Sequence, residues 1–279
     1  MVSNFSLLKS KLYELLIKRK LELENIIWLT IDKLLKLIAG FFIGVYVARY
    51  LGPSEYGTLN LAKSIYIILT PVSIMGLQQI IVREILNKPK QQKVLIGSGI
   101  ILSSLGSLFS FIVLLIISWL IEDQNKTLKH ILIILSFAYL FKPIQVLSYV
   151  FEAEIKSKYN VLSINIAIIF AAIFKLLLIS IEAKTVYFAY SFILDGLIYG
   201  LVLLWFSFRR KIIDSLNYSI LVIKELTHLS WPLIISSFSI LIYMQIDKIM
   251  IGSYLTSNEV GIYSAASQIS ELFYFIPII

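Results

Sequence analysis

The sequence contains no cysteine, so neither a disulfide framework nor a thiolate metal site is open to it. Histidine is nearly absent as well. His130 and His228 stand at the edges of apolar runs, no His/Asp/Glu grouping has metal-ligand spacing, and no glycine-rich phosphate loop opens a helix. These absences leave no enzyme signature, no metal and no cofactor to expect. Charge is scarce too: 15% of the 279 residues are charged and 58% are hydrophobic. A soluble domain is nearer one quarter charged, so the chain reads as an all-α integral membrane protein. No cleavable signal peptide is read in the first 25 residues, which carry five basic side chains and no small-residue cleavage site.

What is present is a series of long apolar runs. About 20 apolar residues cross a bilayer as a helix. Eight segments qualify: 26–49, 57–82, 94–121, 128–150, 160–181, 186–208, 229–253 and 260–279. Between the first two stands a short polar turn, Ala48 to Gly57. In it Gly52-Pro53 breaks the helix, since proline lacks an N–H and glycine is conformationally free. The turn returns 204 positions later: Tyr50-Leu51 matches Tyr254-Leu255, Glu55 matches Glu259, Gly57 matches Gly261 and Ala62 matches Ala266. This is an internal repeat. Six spans separate its copies, so both cross in the same direction, as in transporters made of two similar halves.

Lysine and arginine are distributed unevenly between the two sides. Fifteen lie on the side of the N-terminus and four (Arg49, Lys126, Lys129 and Lys184) on the other. The positive-inside rule places the N-terminus in the cytoplasm and accounts for the net charge of +8 without nucleic acid. Residues 1–25 read as an amphipathic cytoplasmic segment, suited to lying on anionic lipid or to leading into the first span. The stretch Arg209–Glu225, basic and partly apolar, reads as a linker helix along the inner surface.

The spans carry groups that are expensive in a bilayer, about 2.5–3.5 kcal/mol each at a helix centre. Six are lysines (Lys33, Lys36, Lys63, Lys142, Lys175, Lys248) and four are carboxylates (Asp32, Asp195, Asp247, Glu271). Lys33 and Lys63, nearer span ends, can instead snorkel to head groups. Asp32 and Lys36 are spaced i,i+4 and can pair on one helix face. Asp247 and Lys248 are adjacent and point apart, so each needs a partner on another helix. A bundle enclosing this set forms a wet cavity with a cationic bias, suited to a phosphate-bearing substrate. Tyrosines and amides, among them Tyr66, Tyr139, Gln78, Gln145, Asn165 and Gln245, add neutral groups that suit sugars or lock helices together.

The turn Ala48-Arg49-Tyr50-Leu51-Gly52-Pro53-Ser54-Glu55-Tyr56-Gly57 resembles the turn after the first span of polysaccharide-unit flippases. These are the O-antigen (Wzx-type) branch of the multidrug, oligosaccharidyl-lipid and polysaccharide exporter superfamily. Gly76-Leu77 with Ile81-Val82-Arg83-Glu84, and Ile246-Asp247-Lys248 with Gly261-Ile262-Tyr263-Ser264, are similar to two further stretches of that family. The resemblance implies two six-helix lobes around a cleft in the bacterial inner membrane. It implies a substrate as well, a polyprenyl-pyrophosphate-linked glycan moved between leaflets, with membrane lipid and polysaccharide polymerases as partners. On that reading residues 26–208 form the N-terminal lobe, 209–228 a cytoplasmic linker and 229–279 the start of the second lobe. Lys36, Lys142, Lys175 and Lys248 would hold the pyrophosphate. Asp32, Asp195 and Asp247 would pair with them or carry a coupling ion, while Arg49, Gly52, Pro53, Glu55 and Gly57 shape the turn. Members of the family run to twelve or more spans, whereas this sequence stops at Ile279, so the 279 residues alone are not expected to transport. The alternatives are a drug or cation antiporter of the same superfamily and a non-transporting scaffold or fragment.

Overall fold

The computed structural model describes residues 2–121, 125–214 and 216–271, with side chains from residue 23 to residue 270 within those ranges. The described residues contain no strand, and six helical segments are long and apolar enough to cross a membrane. The protein is an all-α, multi-pass membrane protein.

Helix α1 (Val2–Ser73) carries the first two spans, and inside it only Gly52 leaves helical geometry, at φ 71°, ψ 170°. That region is open essentially to glycine alone. Pro53 follows as the first residue of the renewed helix, where its missing N–H is not needed. So the polar turn is a one-residue fold rather than a loop. The chain reverses there: a straight helix would hold Lys36 and Lys63 about 40 Å apart, yet both line one cavity. At its other end α1 runs without a break from Val2 into the first span, so the N-terminal segment is not a separate helix.

The second span, read as 57–82, is interrupted. Helix α2 (Leu77–Asn87) starts after Met75 and Gly76, both left-handed at φ 53° and 57°. Gly76 has no Cβ because the Ile234 backbone nitrogen would lie 3.2 Å from it. The break frees the Ser73 carbonyl, and helix α3 (Gln92–Leu120) answers with a serine ladder. Ser103 and Ser107, one turn apart, each donate to Ser73 O at 3.2 Å, and Ser110 donates to Leu69 O at 3.4 Å.

The fourth span changes character midway. Helix α4 (Lys126–Ala138) passes into a 3₁₀ segment, Tyr139–Leu147, around Pro143, and then into α5 (Ser148–Ala153). The remaining helices are α6 (Lys158–Ser180), α7 (Thr185–Phe188), α8 (Tyr190–Arg209), α9 (Ile220–Tyr254) and α10 (Ser257–Glu271). The outer turn read at 122–125 and the last part of the eighth span lie largely outside the described residues.

The linker departs from its sequence reading. Among the described residues between Arg209 and Ile220 there is no helix, and α9 begins at Ile220 and continues into the seventh span through Pro232. The cause is close docking on α3. Ser219 N donates to Ser98 Oγ at 3.1 Å, and at Gly97 an added Cβ would stand 2.2 Å from Asn217 O.

Contacts sort the bundle into two ends. At the basic end, Lys88 joins Glu225 of α9 at 3.1 Å and Ser157 N donates to Asn25 at 2.9 Å. At the opposite end, Tyr50 donates to Ala183 O at 3.1 Å, and Gly57 meets Ser257 and Gly261 backbone to backbone. The repeat-matched turns therefore sit side by side at one end, with the matched glycines in contact. Two apolar clusters fill the interior. One, around Tyr66, Leu135, Tyr139 and Phe188, lies toward the turns; the other, around Ile81, Ile96, Tyr149, Phe151 and Leu226, lies toward the basic end.

Glu84 anchors that basic end. It is buried, and it accepts from Arg83 at 3.1 Å and Lys88 at 3.2 Å, while Lys88 also reaches Glu225. Glu225 first, and then Glu84, hold the Lys88 ammonium above its ordinary range, so this link persists at neutral pH and weakens only above the lysine range. Glu84→Gln should lower the thermal midpoint in detergent more than Glu225→Gln. The first leaves two cations facing a buried neutral group, whereas the second removes one exposed, solvent-screened pair. Equal shifts would contradict that ranking.

Candidate functional site

Each helix presents its polar residues as a stripe at helical spacing, and the stripes converge. On the first span Lys33, Lys36, Gly40, Gly44 and Val47 follow one face; on the returning span Tyr56, Asn60, Lys63 and Ile67 do the same. Ala171 and Lys175 of α6, Ser191 and Asp195 of α8, Gln245 and Lys248 of α9, and Ser264 and Gln268 of α10 complete the wall. Together they enclose a cavity of about 690 Å³, within the range of small-molecule sites. Glycine makes the space: a Cβ on Gly40 would meet nothing within 4 Å.

Among the described residues five lysines line this cavity, Lys33, Lys36, Lys63, Lys175 and Lys248, against one acid, Asp195. Behind the wall, Asp32 is buried and pairs with Lys36 at 2.7 Å. Asn165 donates to the other Asp32 oxygen at 3.3 Å, and its own carbonyl oxygen is buried with no partner. The Lys175 ammonium lies over the Phe192 ring, 5.6 Å from its centre. Neutral groups share the wall. Tyr56 donates to Gln268 at 3.0 Å, Gln268 donates to Gly40 O at 2.8 Å, and Ser64 donates to Gln245 at 2.9 Å. The Ser264 hydroxyl, also on the wall, has no hydrogen-bond partner.

The structure thus brings Lys36, Lys175, Lys248 and Asp195 to one cavity, with Asp32 directly behind. It adds Lys33 and Lys63, which snorkelling would have directed to the head groups. Lys142 does not line it; its ammonium sits 5.9 Å above the Tyr66 ring, within electrostatic reach of Asp195. Asp247 does not line it either. It accepts from Tyr263 of α10 at 2.7 Å, because adjacent helical residues point about 100° apart and Lys248 takes the inward direction. The Glu271 side chain lies outside the described residues. Of the turn residues, Gly52 forms the kink, Pro53 and Gly57 face α10, and Arg49 and Glu55 are exposed.

Sequence reasoning missed the amide wall of Asn60 and Gln268, and it missed Glu152. The fourth span was read as ending at 150, but the helix runs to Ala153 and keeps Glu152 in the bundle. Gln78 donates to both Glu152 oxygens at 3.0 and 3.3 Å, Asn160 donates at 3.4 Å, and Tyr199 donates to Asn160 at 3.0 Å. Among the described residues no group of three His, Cys, Asp or Glu is placed to hold a metal ion.

Chemically the cavity wall combines several cations with neutral amides and hydroxyls, which alternate one turn apart at Asn60 and Lys63 and at Gln245 and Lys248. Several cations gathered on one wall attract an anion of more than one charge, and amides and phenols hydrogen-bond polyhydroxylated groups. A family model described as polysaccharide biosynthesis protein matches residues 23–275. No curated protein and no solved structure matches the chain.

Proposed function

We propose, from the premise that this chain belongs to the polysaccharide biosynthesis protein family, that it translocates a polyprenyl-pyrophosphate-linked oligosaccharide across the bacterial inner membrane. The observation that carries this reading is the excess of lysine over carboxylate around one cavity within the bundle. A pyrophosphate needs several cations brought to one point, and Lys36, Lys175 and Lys248 supply them from three different spans. Lys33 and Lys63 add to the same field. Lys142 acts from behind, through Asp195, and holds the balance of charge at the cavity wall. The neutral groups of Asn60, Gln245 and Gln268 receive the sugar. Asp32 and Asp195 keep the lysines oriented and offer sites for a coupling ion, while Asp247 fixes α9 to α10.

The paired turns support alternating access by two lobes related along the membrane normal. The first six spans form one lobe and α9 and α10 belong to the other. The basic end faces the cytoplasm by the positive-inside rule. An antiporter for cationic drugs would call for an acidic cavity, which this one is not.

Binding tests the reading directly. Protein in nanodiscs should retain a polyprenyl-pyrophosphate-linked glycan, and Lys36→Gln and Lys175→Gln should each weaken retention by about tenfold. That is the loss of one charge-assisted hydrogen bond of about 1.4 kcal/mol. Retention unchanged in both variants would remove the cavity from the function.

A further inference from the structure

At the basic end, away from the lysine cavity, a second and much smaller recess is built where the first span, the α5–α6 connection and the end of α8 meet. It holds about 100 Å³, far below a small-molecule pocket but enough for a tetrahedral oxyanion. Lys156, Lys158 and Arg210 line it, with Trp28 as an aromatic wall and Glu24 as the only lining acid among the described residues.

Three observations show that the recess is constructed and is more than a chance gathering of surface charge. Asn25 on the first span accepts from Ser157 N at 2.9 Å and so pins the connection that carries Lys156. In that connection Ile155 is held left-handed at φ 55°, a conformation that a β-branched residue adopts only when its surroundings enforce it. One ring, Tyr159, orients two of the cations. The Lys158 ammonium lies 5.5 Å and the Arg210 guanidinium 4.7 Å from its centre, and Arg210 also donates to the Tyr159 hydroxyl.

Two of the three cations are paired, Lys158 with Glu24 and Lys156 with Glu154, while Arg210 has no carboxylate partner among the described residues. Lys158 and Glu24 stand at 3.6 Å, beyond hydrogen-bond length, so the ammonium keeps its donors for another acceptor. Lys156 pairs with Glu154 at 2.7 Å, outside the recess. Among the described side chains the three cations exceed Glu24 and Glu154 by one positive charge, which complements one phosphodiester. The depth is also informative. The recess lies at the ends of four spans, where tryptophan and cations meet lipid head groups.

We propose that this recess docks the phosphate head group of a membrane lipid in the leaflet at the basic end. Arg210 and Lys158 grip the phosphate oxygens, Lys156 closes the rim, and Trp28 packs beside the glycerol or first chain carbons. Bulk anionic phospholipid and the phosphate of a polyprenyl carrier share this chemistry.

The whole protein, purified in a mild detergent, can be examined by native mass spectrometry. Its retention of phosphatidylglycerol, polyprenyl phosphate and uncharged diacylglycerol would be compared, with thermal protection by inorganic phosphate as a parallel measurement. Either phosphate lipid should be retained about tenfold better than diacylglycerol, and the better of the two identifies the source. Lys156→Gln and Arg210→Gln should each lower that preference about fivefold, the effect of one interfacial cation, and Glu24→Gln should raise it. Arg210 also stacks on Tyr159. Lys156 stacks on no ring among the described residues, so Lys156→Gln decides the matter if the Arg210 variant does not fold. Retention unaltered by Lys156→Gln and Glu24→Gln overturns the proposal. So does inorganic phosphate protecting as well as the lipids, which would reduce the recess to an adventitious anion site. Because the readout is lipid retention at this recess, its failure would leave the glycan-binding test at the lysine cavity untouched.

Discussion

Gly57→Ala should separate the helices that meet at the turn end of the bundle, at a cost of about 3 kcal/mol or more. A Cβ at Gly57 would stand 1.7 Å from Ser257 O and 2.7 Å from Gly261 N; at Gly261 it would stand 1.9 Å from Pro53 O. These obstacles are backbone, so no rotamer change relieves them and the helices themselves must move apart. The displacement would loosen the neighbouring Tyr56–Gln268 and Gln268–Gly40 hydrogen bonds as well. Gly40 is the control. Nothing lies within 4 Å of its missing Cβ, so Gly40→Ala should gain up to about 1 kcal/mol of helix propensity. Thermal unfolding in detergent, followed by tryptophan fluorescence, should show the two glycines shifting the midpoint in opposite directions. A neutral Gly57→Ala would mean that α10 does not pack on α1 in this way.

Asp32→Leu should destabilise the protein by about 1–3 kcal/mol, and Lys36→Leu in the same chain should recover most of the loss. Asp32 takes a hydrogen bond from Lys36 at 2.7 Å and one from Asn165 at 3.3 Å. Removing it leaves the buried Asn165 amide with Val161 O, at 2.9 Å, as its remaining acceptor, and leaves an ammonium without its counter-charge. The Lys36 side chain is 42% exposed into the cavity, so water screens part of the penalty and the cost stays below that of a fully buried pair. In the double variant two leucines replace a charge pair in an apolar segment, and the charge penalty disappears. Thermal unfolding of both variants measures the recovery. A double variant as unstable as Asp32→Leu would show that the pair itself contributes little and that leucine does not fit there.

How far the sequence reaches is clearest in the paired turns. The match of Gly57 to Gly261 across 204 residues is visible in the letters, and so is the direction of each copy from the even number of spans between them. That the two glycines touch is not visible, because a repeat specifies two similar surfaces without saying that they pack on each other. Asp32 and Lys36 are equally legible, since i,i+4 spacing fixes their relation within one helix. Lys142 and Lys248 both lie within spans in the sequence, yet Lys248 lines the cavity and Lys142 turns onto a tyrosine ring.

Composition, run length and the glycine-proline break therefore determined by themselves that this is an all-α, multi-pass membrane protein with an internal repeat. Burying about 20 apolar residues per span in lipid leaves helices as the solution for such segments. Only the tertiary structure decided which polar groups share a cavity. Rotation of each helix about its axis is set by packing against its neighbours, and in lipid a hydrophobic pattern specifies that rotation weakly, because lipid and protein interior are both apolar. The same reason hid Glu152, Gln268 and the phosphate-sized recess, each assembled from helices distant in sequence that meet only in the packed bundle.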